Sequence, residues 1–590
     1  MLRSSRKKAA RTTAALIRSL LLGTAAVTTT VAVSTVMVGC KDENQPEYWV
    51  EKLDDAKWRP RAVKRLTQFL DDALASANND MQAQPVQDLL NKVVDPLTKV
   101  YVEDYGEFDT ATRTSLIKLL ADFRDKRTEP ALKKAFDEFA KRPRTTSDET
   151  DIKWAARAYG DLKLPSLAPS VLAAFEKLEA HTLLGGVTYR DYSEAMVKAP
   201  SPGWSSSLVG LLGQPMADPS SAKTKEAAKD MIDPFRDQQF WQVTAAQVLG
   251  ELRDPAAVEP LMKVLLDPSK SSIATTSLLA LVKIGKPSVD RAVKVADGSD
   301  TALIDFHKEA VKKASGSKDQ VKGNPALPIA AAVIGMAGRP EGIGPLIKVL
   351  ESDAPASDKA IVARELAKIP ATAESKAAFK KAFESIPADT SVQGAPALAL
   401  LAEAAGQFYD PSLVPWLLER AGALKGGGEE NKAIQQVLVT TALKVAKPDQ
   451  LDAVKKAADS YGAKDLVPLV EQVLKACGDK VDCYLQAIEK SEYQNKDKQL
   501  AGIKAGYMIG VLGDAAARDK LIDGLSAIDN AAVRFVAAQT IDQLTPKGSN
   551  EVVTRLDQII AKNKKSADKD KIAGDAPLQQ VSYRLSARGG

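Results

Sequence analysis

Few side chains in this sequence are suited to chemistry. A chain of 590 residues holds three cysteines and two histidines. His181 in "EAHTLL" and His307 in "DFHKEA" belong to no His-Glu metal motif. Structural or surface roles suit them better than ligation or proton transfer. No Gly-x-Ser-x-Gly, His-Glu-x-x-His or zinc-spaced cysteine set occurs. "KGGGEENK", from Lys425, lacks the Gly-Lys-Ser/Thr ending of a phosphate loop. "DKDKIAGD" places Ile572 where a calcium loop needs an oxygen. The sequence thus assigns no catalytic residue, no metal ligand and no cofactor. Carboxylates dispersed among the 76 acidic residues keep an enzyme open as the alternative class.

The cysteines divide into a pair and a singleton. In "LKACGDKVDCYLQ", Cys477 ends one helix, Gly478 caps it and Cys483 falls in the first turn of the next. An oxidising compartment favours a bond between them, and closing so small a loop contributes about 2 kcal/mol. Two separate buried thiols are the other reading. Cys40 stands alone at the seam of "STVMVGCKDENQPEYWV". Before it come Arg3, Arg6, Lys7, Lys8, Arg11 and Arg18 with no acidic residue, then an apolar run from Leu20 to Val38. A basic leader, an apolar stretch and small residues at its end make an export signal.

"MVGC" resembles the lipobox of bacterial lipoproteins, with Met37 where that family usually has leucine. The resemblance implies cleavage after Gly39 and acylation of Cys40, with two or more chains giving stable anchoring. The alternatives are an uncleaved signal anchor over Ser19 to Val38, long enough to span a bilayer, and a cysteine without a role. In enteric members an aspartate directly after the cysteine retains the protein in the inner membrane. Lys41 holds that place and Asp42 follows, so the resemblance implies the periplasmic side of the cell envelope, at the outer membrane. Removing the six basic leader residues from 81 leaves 75 against 76 acidic ones, so the basic precursor is no argument for nucleic acid.

Apolar residues recur at helical spacing through the body, with no run requiring a sheet. "LGELRDPAAVEPLMKVL" from Leu249 and "IGMAGRPEGIGPLIKVL" from Ile334 align without a gap. Related copies begin at Ala155 and Ala404. The offset of two such units lies in the range of HEAT and armadillo arrays. "DNAAVRFVAAQTIDQL" from Asp529 resembles the second helix of a HEAT repeat, and "DDAKWRPRAVKRLTQF" from Asp54 follows the same template. Aspartate is expected to start that helix, and glycine before the Asp-Pro turn to end its partner in a left-handed cap. The HEAT resemblance implies an all-α solenoid of stacked antiparallel helix pairs in a right-handed superhelix. It also implies an inter-repeat ladder in which Asp529 and Arg534 take part. HEAT-like di-iron hydroxylases need His-Glu pairs, which this chain lacks, and HEAT-like DNA glycosylases need a basic groove, for which an exported near-neutral chain is a poor candidate.

The expected organisation is a signal peptide (1–39), a short acylated tether (40–46) and N-terminal repeats (47–180). An irregular Gly/Pro/Ser-rich insertion with some helix (181–236) and central repeats (237–424) follow. A Gly-rich joint (425–432), C-terminal repeats (433–562) and a charged mobile tail with a short terminal helix (563–590) complete it. Asn44 is expected to cap the first helix, with Tyr48 and Trp49 either at the bilayer interface or packed on the next helix. Trp58, Trp154, Trp241 and Trp416 fall within repeat elements and read as core. Trp204, in the insertion, is the expected exposed binding anchor. These readings converge on a lipid-anchored scaffold or adaptor for envelope proteins, of unassigned oligomeric state. The alternative is an enzyme or glycan-binding accessory of wall assembly.

Overall fold

The computed structural model describes residues 42–141, 150–181, 187–316, 323–386, 394–424, 428–490, 496–564 and 569–589. The leader, Cys40, and residues 425–427 of the glycine-rich joint lie outside them. Regular structure among the described residues is helical throughout, with no strand. The chain is an all-α solenoid of helix pairs. Among the described residues no helix is long and apolar enough to cross a membrane.

One series of helices stacks each on the next. It runs through Arg59–Ser76, Thr110–Asp122, Thr150–Leu162, Val187–Lys198, Lys225–Leu252 and Ser271–Ile284. Leu327–Ala337, Ala356–Leu366, Gly394–Ala404, Glu429–Val445, Lys496–Leu512, Ala531–Gln543 and Lys569–Gly589 continue it. A second, shorter series packs on its outside, for example Glu129–Lys141, Ala168–Phe175, Ser205–Gly213 and Val258–Leu266.

The turn from one series to the other recurs with a fixed backbone. A left-handed residue leads it: Arg124, Lys163, Arg253, Gly338 or Tyr409, with φ of 51, 50, 50, 63 and 49°. A single 3-10 turn follows, opened by proline in Pro165–Leu167, Pro202–Trp204, Pro255–Ala257, Pro340–Gly342 and Pro411–Leu413. Asp125, Asp254 and Asp410 cap these turns by accepting from the backbone N–H two residues on.

The repeating glycine therefore does not serve as the helix cap. Gly160, Gly250, Gly335 and Gly406 stand three residues before the left-handed position, inside the helix or its last turn. A Cβ at Gly250 would lie 2.9 Å from Ala280 Cα, and one at Gly160 3.0 Å from Ala195 Cα. At Gly335 it would meet the Glu365 side chain. Glycine is there because the next helix of the series passes where a side chain would be.

Residues 187–236, the described body of the expected insertion, are a regular part of the stack. Val187–Lys198 packs on Thr150–Leu162 and on Lys225–Leu252, and Ser205–Gly213 is their outer partner. The Gly, Pro and Ser residues of this segment supply turns rather than an irregular insertion. "SPGW" occupies the place of "DPAA" at Asp254, which puts Trp204 at the buried third position of the 3-10 turn. Trp204 is 1% exposed and its indole N–H donates to Ala168 O at 2.8 Å. It is core, not an anchor.

Other local expectations also change. Gln45, not Asn44, holds the N-cap position of Pro46–Glu51, and Trp49 is buried with its indole N–H donating to Glu43 O at 2.7 Å. Trp49 therefore rests on protein and not at a bilayer interface. Asn530 rather than Asp529 caps Ala531–Gln543, its Oδ1 accepting from the N–H groups of Ala532 and Val533.

The last helix changes the architecture most. Residues 563–590 contain Lys569–Gly589, 21 residues long, instead of a mobile tail. The charge run covers only its start; Leu578, Val581 and Leu585 then form a buried stripe at helical spacing. Burying each is worth roughly 1.5–3 kcal/mol. The stripe packs on Ala531–Gln543 and Asn550–Lys564, and also on Ser271–Ile284 and Leu327–Ala337, far back in the chain. Arg253 donates to Ser586 Oγ and Arg339 to Ala587 O across this junction. Eight inner helices, from Ser271–Ile284 to Lys569–Gly589, thereby form a closed circuit. The helices before Ser271 continue from it as an arm.

Candidate functional site

Buried cations tie successive repeats together. Arg59 donates through Nε to Leu53 O at 2.8 Å and through Nη2 to Glu107 Oε2 at 3.0 Å. Arg534 makes the equivalent contacts, with Ile528 O at 3.5 Å and Asp575 Oδ1 at 2.5 Å. The ladder partner of Arg534 is thus Asp575 on the next inner helix, Lys569–Gly589, not Asp529, which precedes the helix of Arg534. Arg113 and Asp151 repeat the arrangement at 2.5 Å, with Thr114 Oγ1 donating to the same carboxylate at 2.6 Å. Elsewhere a lysine meets backbone carbonyls at a helix end. Lys504 donates to the carbonyls of Leu443, Lys444 and Ala446 at 3.0, 2.9 and 2.6 Å, and Lys270 to that of Gln214 at 2.7 Å. Burial holds the Lys504 ammonium down to about 7.

Cys477 and Cys483 are joined by a disulfide, their Cα atoms 5.3 Å apart. Gly478 follows Cys477 with φ 56°, turning the chain back toward Val481–Glu489. Tyr484 donates to Gly478 O at 2.7 Å and fixes the same turn. The bond staples one outer helix to the next element, and no reactive thiol remains at either position.

Two concavities are candidates for binding. The first is an open groove of about 640 Å³ between Val187–Lys198 and Lys225–Leu252. Tyr189 and Phe240 meet edge to face in its wall at 5.4 Å. Arg190, Arg236, Glu194, Gln239 and Gln247 surround them. His181 also lines it: its N–H donates to Asp237 Oδ1 at 2.9 Å and its ring Nδ1 lies 2.6 Å from Oδ2. The buried Asp237 thus fixes the imidazole in place. Ser193 and Thr244 hydroxyls pair with each other at 3.0 Å. The sequence assigned His181 only a structural or surface role. No local signal marks it for more, because Asp237 stands 56 residues away in the sequence. His307, by contrast, is buried and bonds Leu266 O at 2.5 Å between repeats.

The second concavity, of about 270 Å³, lies inside the circuit. Ala531–Gln543, the closing helix Lys569–Gly589, and the ends of the Leu327–Ala337 and Ala356–Leu366 helices wall it. No group of acidic, histidine or cysteine side chains suited to a metal ion occurs among the described residues.

Comparison with known proteins identifies the repeat unit. The model of the PBS lyase HEAT-like repeat matches residues 241–267, which span the end of Lys225–Leu252, the Asp254 turn and Val258–Leu266. This unit is HEAT-like. A solved structure of an engineered protein is similar over 83% of this chain and 98% of its own, at 15% identity. Its TM-score of 0.18 carries no argument about fold or function. No curated protein matches the chain significantly.

Proposed function

We propose that the protein is a membrane-anchored, non-enzymatic scaffold of the bacterial cell envelope that holds a partner polypeptide in the groove between Val187–Lys198 and Lys225–Leu252. The observation that carries this reading is the composition of that groove: an aromatic pair, two arginines, a glutamate and amides in one open concavity. Such a mixture suits a polypeptide, whose backbone and side chains present donors, acceptors and apolar groups together. A glycan site needs flat exposed rings, whereas Phe240 is buried and set edge-on to Tyr189.

The anchor is the lipid on Cys40, and Lys41, standing where a retention aspartate would, supports the outer membrane as its place. The fold begins with a turn at 42–45, Gln45 N–H donating to Asp42 O at 2.9 Å, so the described structure starts two residues after Cys40 and the extended tether is shorter than the expected 40–46. Photo-crosslinking from position 247 in intact envelopes tests the groove. A discrete adduct that is missing when the probe sits at the exposed Lys133 supports it; identical adducts from both positions overturn it. For the anchor, Cys40→Ala is expected to give a longer, unacylated protein. Mass spectrometry of the wild-type amino terminus checks this, and an unmodified Cys40 or an intact leader refutes it.

A further inference from the structure

The cavity inside the circuit has an unbalanced charge. Arg584 donates to Gly335 O at 3.3 Å and pairs with Asp542 Oδ2 at 3.0 Å, and it also donates to Lys368 O. Arg588 pairs with the other oxygen of the same carboxylate. One aspartate therefore serves two guanidinium groups. The nearby Glu365 is already engaged by Arg364 at 2.8 Å and Lys368 at 2.6 Å. The charged groups of the cavity wall are thus three cations, Lys368, Arg584 and Arg588, and one carboxylate, Asp542.

Both arginines are at least nine-tenths buried, and both line the cavity. Arg584 Nε, Arg588 Nε and Arg588 Nη1 are buried and donate to no acceptor among the described residues. A buried guanidinium N–H without an acceptor costs the desolvation of a charged donor. Burial, with Arg584 alongside, pushes the Arg588 pKa down from its ordinary value despite Asp542. An acceptor with negative charge answers both deficits. The remaining wall joins amides such as Gln407 and Gln539 to an apolar part, where Phe535 is 44% exposed although large and hydrophobic and Met336 and Val581 also line the cavity. A volume of about 270 Å³ is more than an inorganic ion fills and falls near the lower end for small-molecule sites.

We propose that this cavity binds a small organic anion, its carboxylate or phosphate seated on Arg584 and Arg588 and its apolar body against Phe535 and Met336. The site exists only when the circuit is closed, because the arginines come from the closing helix and Phe535 from the helix it packs against. Occupancy therefore ties the junction together, the anion adding acceptors at the place where cations from distant repeats converge.

Titration calorimetry on the full mature chain tests this with 4-phenylbutyrate, phenyl phosphate, inorganic phosphate and the neutral 4-phenylbutanol. At least one aryl anion is expected to bind and to slow hydrogen exchange over Leu578 to Ala587. Arg588→Gln should weaken it about ten- to a hundredfold, the range for a lost charge-assisted hydrogen bond. Phe535→Ser, on an exposed side chain that does not hold the junction, should weaken it about tenfold. Phenylbutyrate and phenyl phosphate distinguish the two head groups. The proposal falls if neither aryl anion binds wild type. It falls equally if the neutral alcohol or inorganic phosphate binds as tightly as the aryl anions, or if Phe535→Ser, folded as judged by its melting curve, binds as wild type does.

Discussion

Lys504 shows how much a single residue carries in this array. Its ammonium is 1% exposed and supplies the donors for three carbonyls at the end of Glu429–Val445. The unfolded chain keeps that proton until about 10.5, whereas the folded chain releases it near 7. Between those values the unfolded state binds more protons, so stability rises with pH; below 7 both states are protonated and the burial penalty is felt in full. Lys504→Met removes this slope and leaves carbonyls unpaired. It is expected to cost about 2–4 kcal/mol at pH 9 and less at pH 6, where it also escapes the ammonium penalty. Urea melts of both proteins at the two pH values check the sign. At the same scale, Cys477→Ser with Cys483→Ser is expected to cost about 2 kcal/mol. Non-reducing peptide maps of envelope-purified protein should show the linked pair, and full alkylation of both thiols would contradict it.

Among elements, the decisive contact is that of each inner helix with the next. Gly250→Ala sets a methyl against Ala280 Cα at 2.9 Å, where backbone must yield. Overpacking of this kind costs about 1–3 kcal/mol. Gly210→Ala, inside the outer helix Ser205–Gly213 with open space around it, is expected to stabilise by roughly 0.5–1 kcal/mol, because alanine is the better helix former. Opposite shifts in the urea midpoint would separate packing from propensity. The same glycines show what the sequence discloses. Their spacing with the Asp-Pro turns revealed the repeat, since turn chemistry is local and written in a few residues. Their role was misassigned, because the reason for glycine lies on another helix, at Ala280. Arg534 is similar: its alignment with Arg59 was readable, but Asp575 stands 41 residues away. Trp204 failed as an anchor because "SPGW" looks unlike "DPAA" while folding as the same turn. The groove at His181 and the cavity at Arg588 were illegible for one reason. Each is assembled from side chains whose proximity no local pattern encodes.

For the whole molecule the circuit matters more than the number of repeats. An open array unfolds roughly as a sum of neighbouring units. Here Arg253 and Ser586, 333 residues apart, are in contact, so terminal and central repeats are coupled. Deleting residues 569–590 is expected to destabilise Ser271–Leu366 although none of it is removed. Pulsed proteolysis should cut that region faster in the truncated chain, and unchanged protection there would show the junction to be energetically idle. The closing helix has one more effect. A stack of helix pairs presents an apolar face at each end, and head-to-tail contact between such faces, if it does not close, propagates into a fibre. In this chain the C-terminal face is already occupied by the protein's own Ser271–Ile284 and Leu327–Ala337 helices. Among the described residues only the end at Pro46–Glu51 is left for a second copy. One available end permits a pair of molecules to meet, and polymer growth stops there.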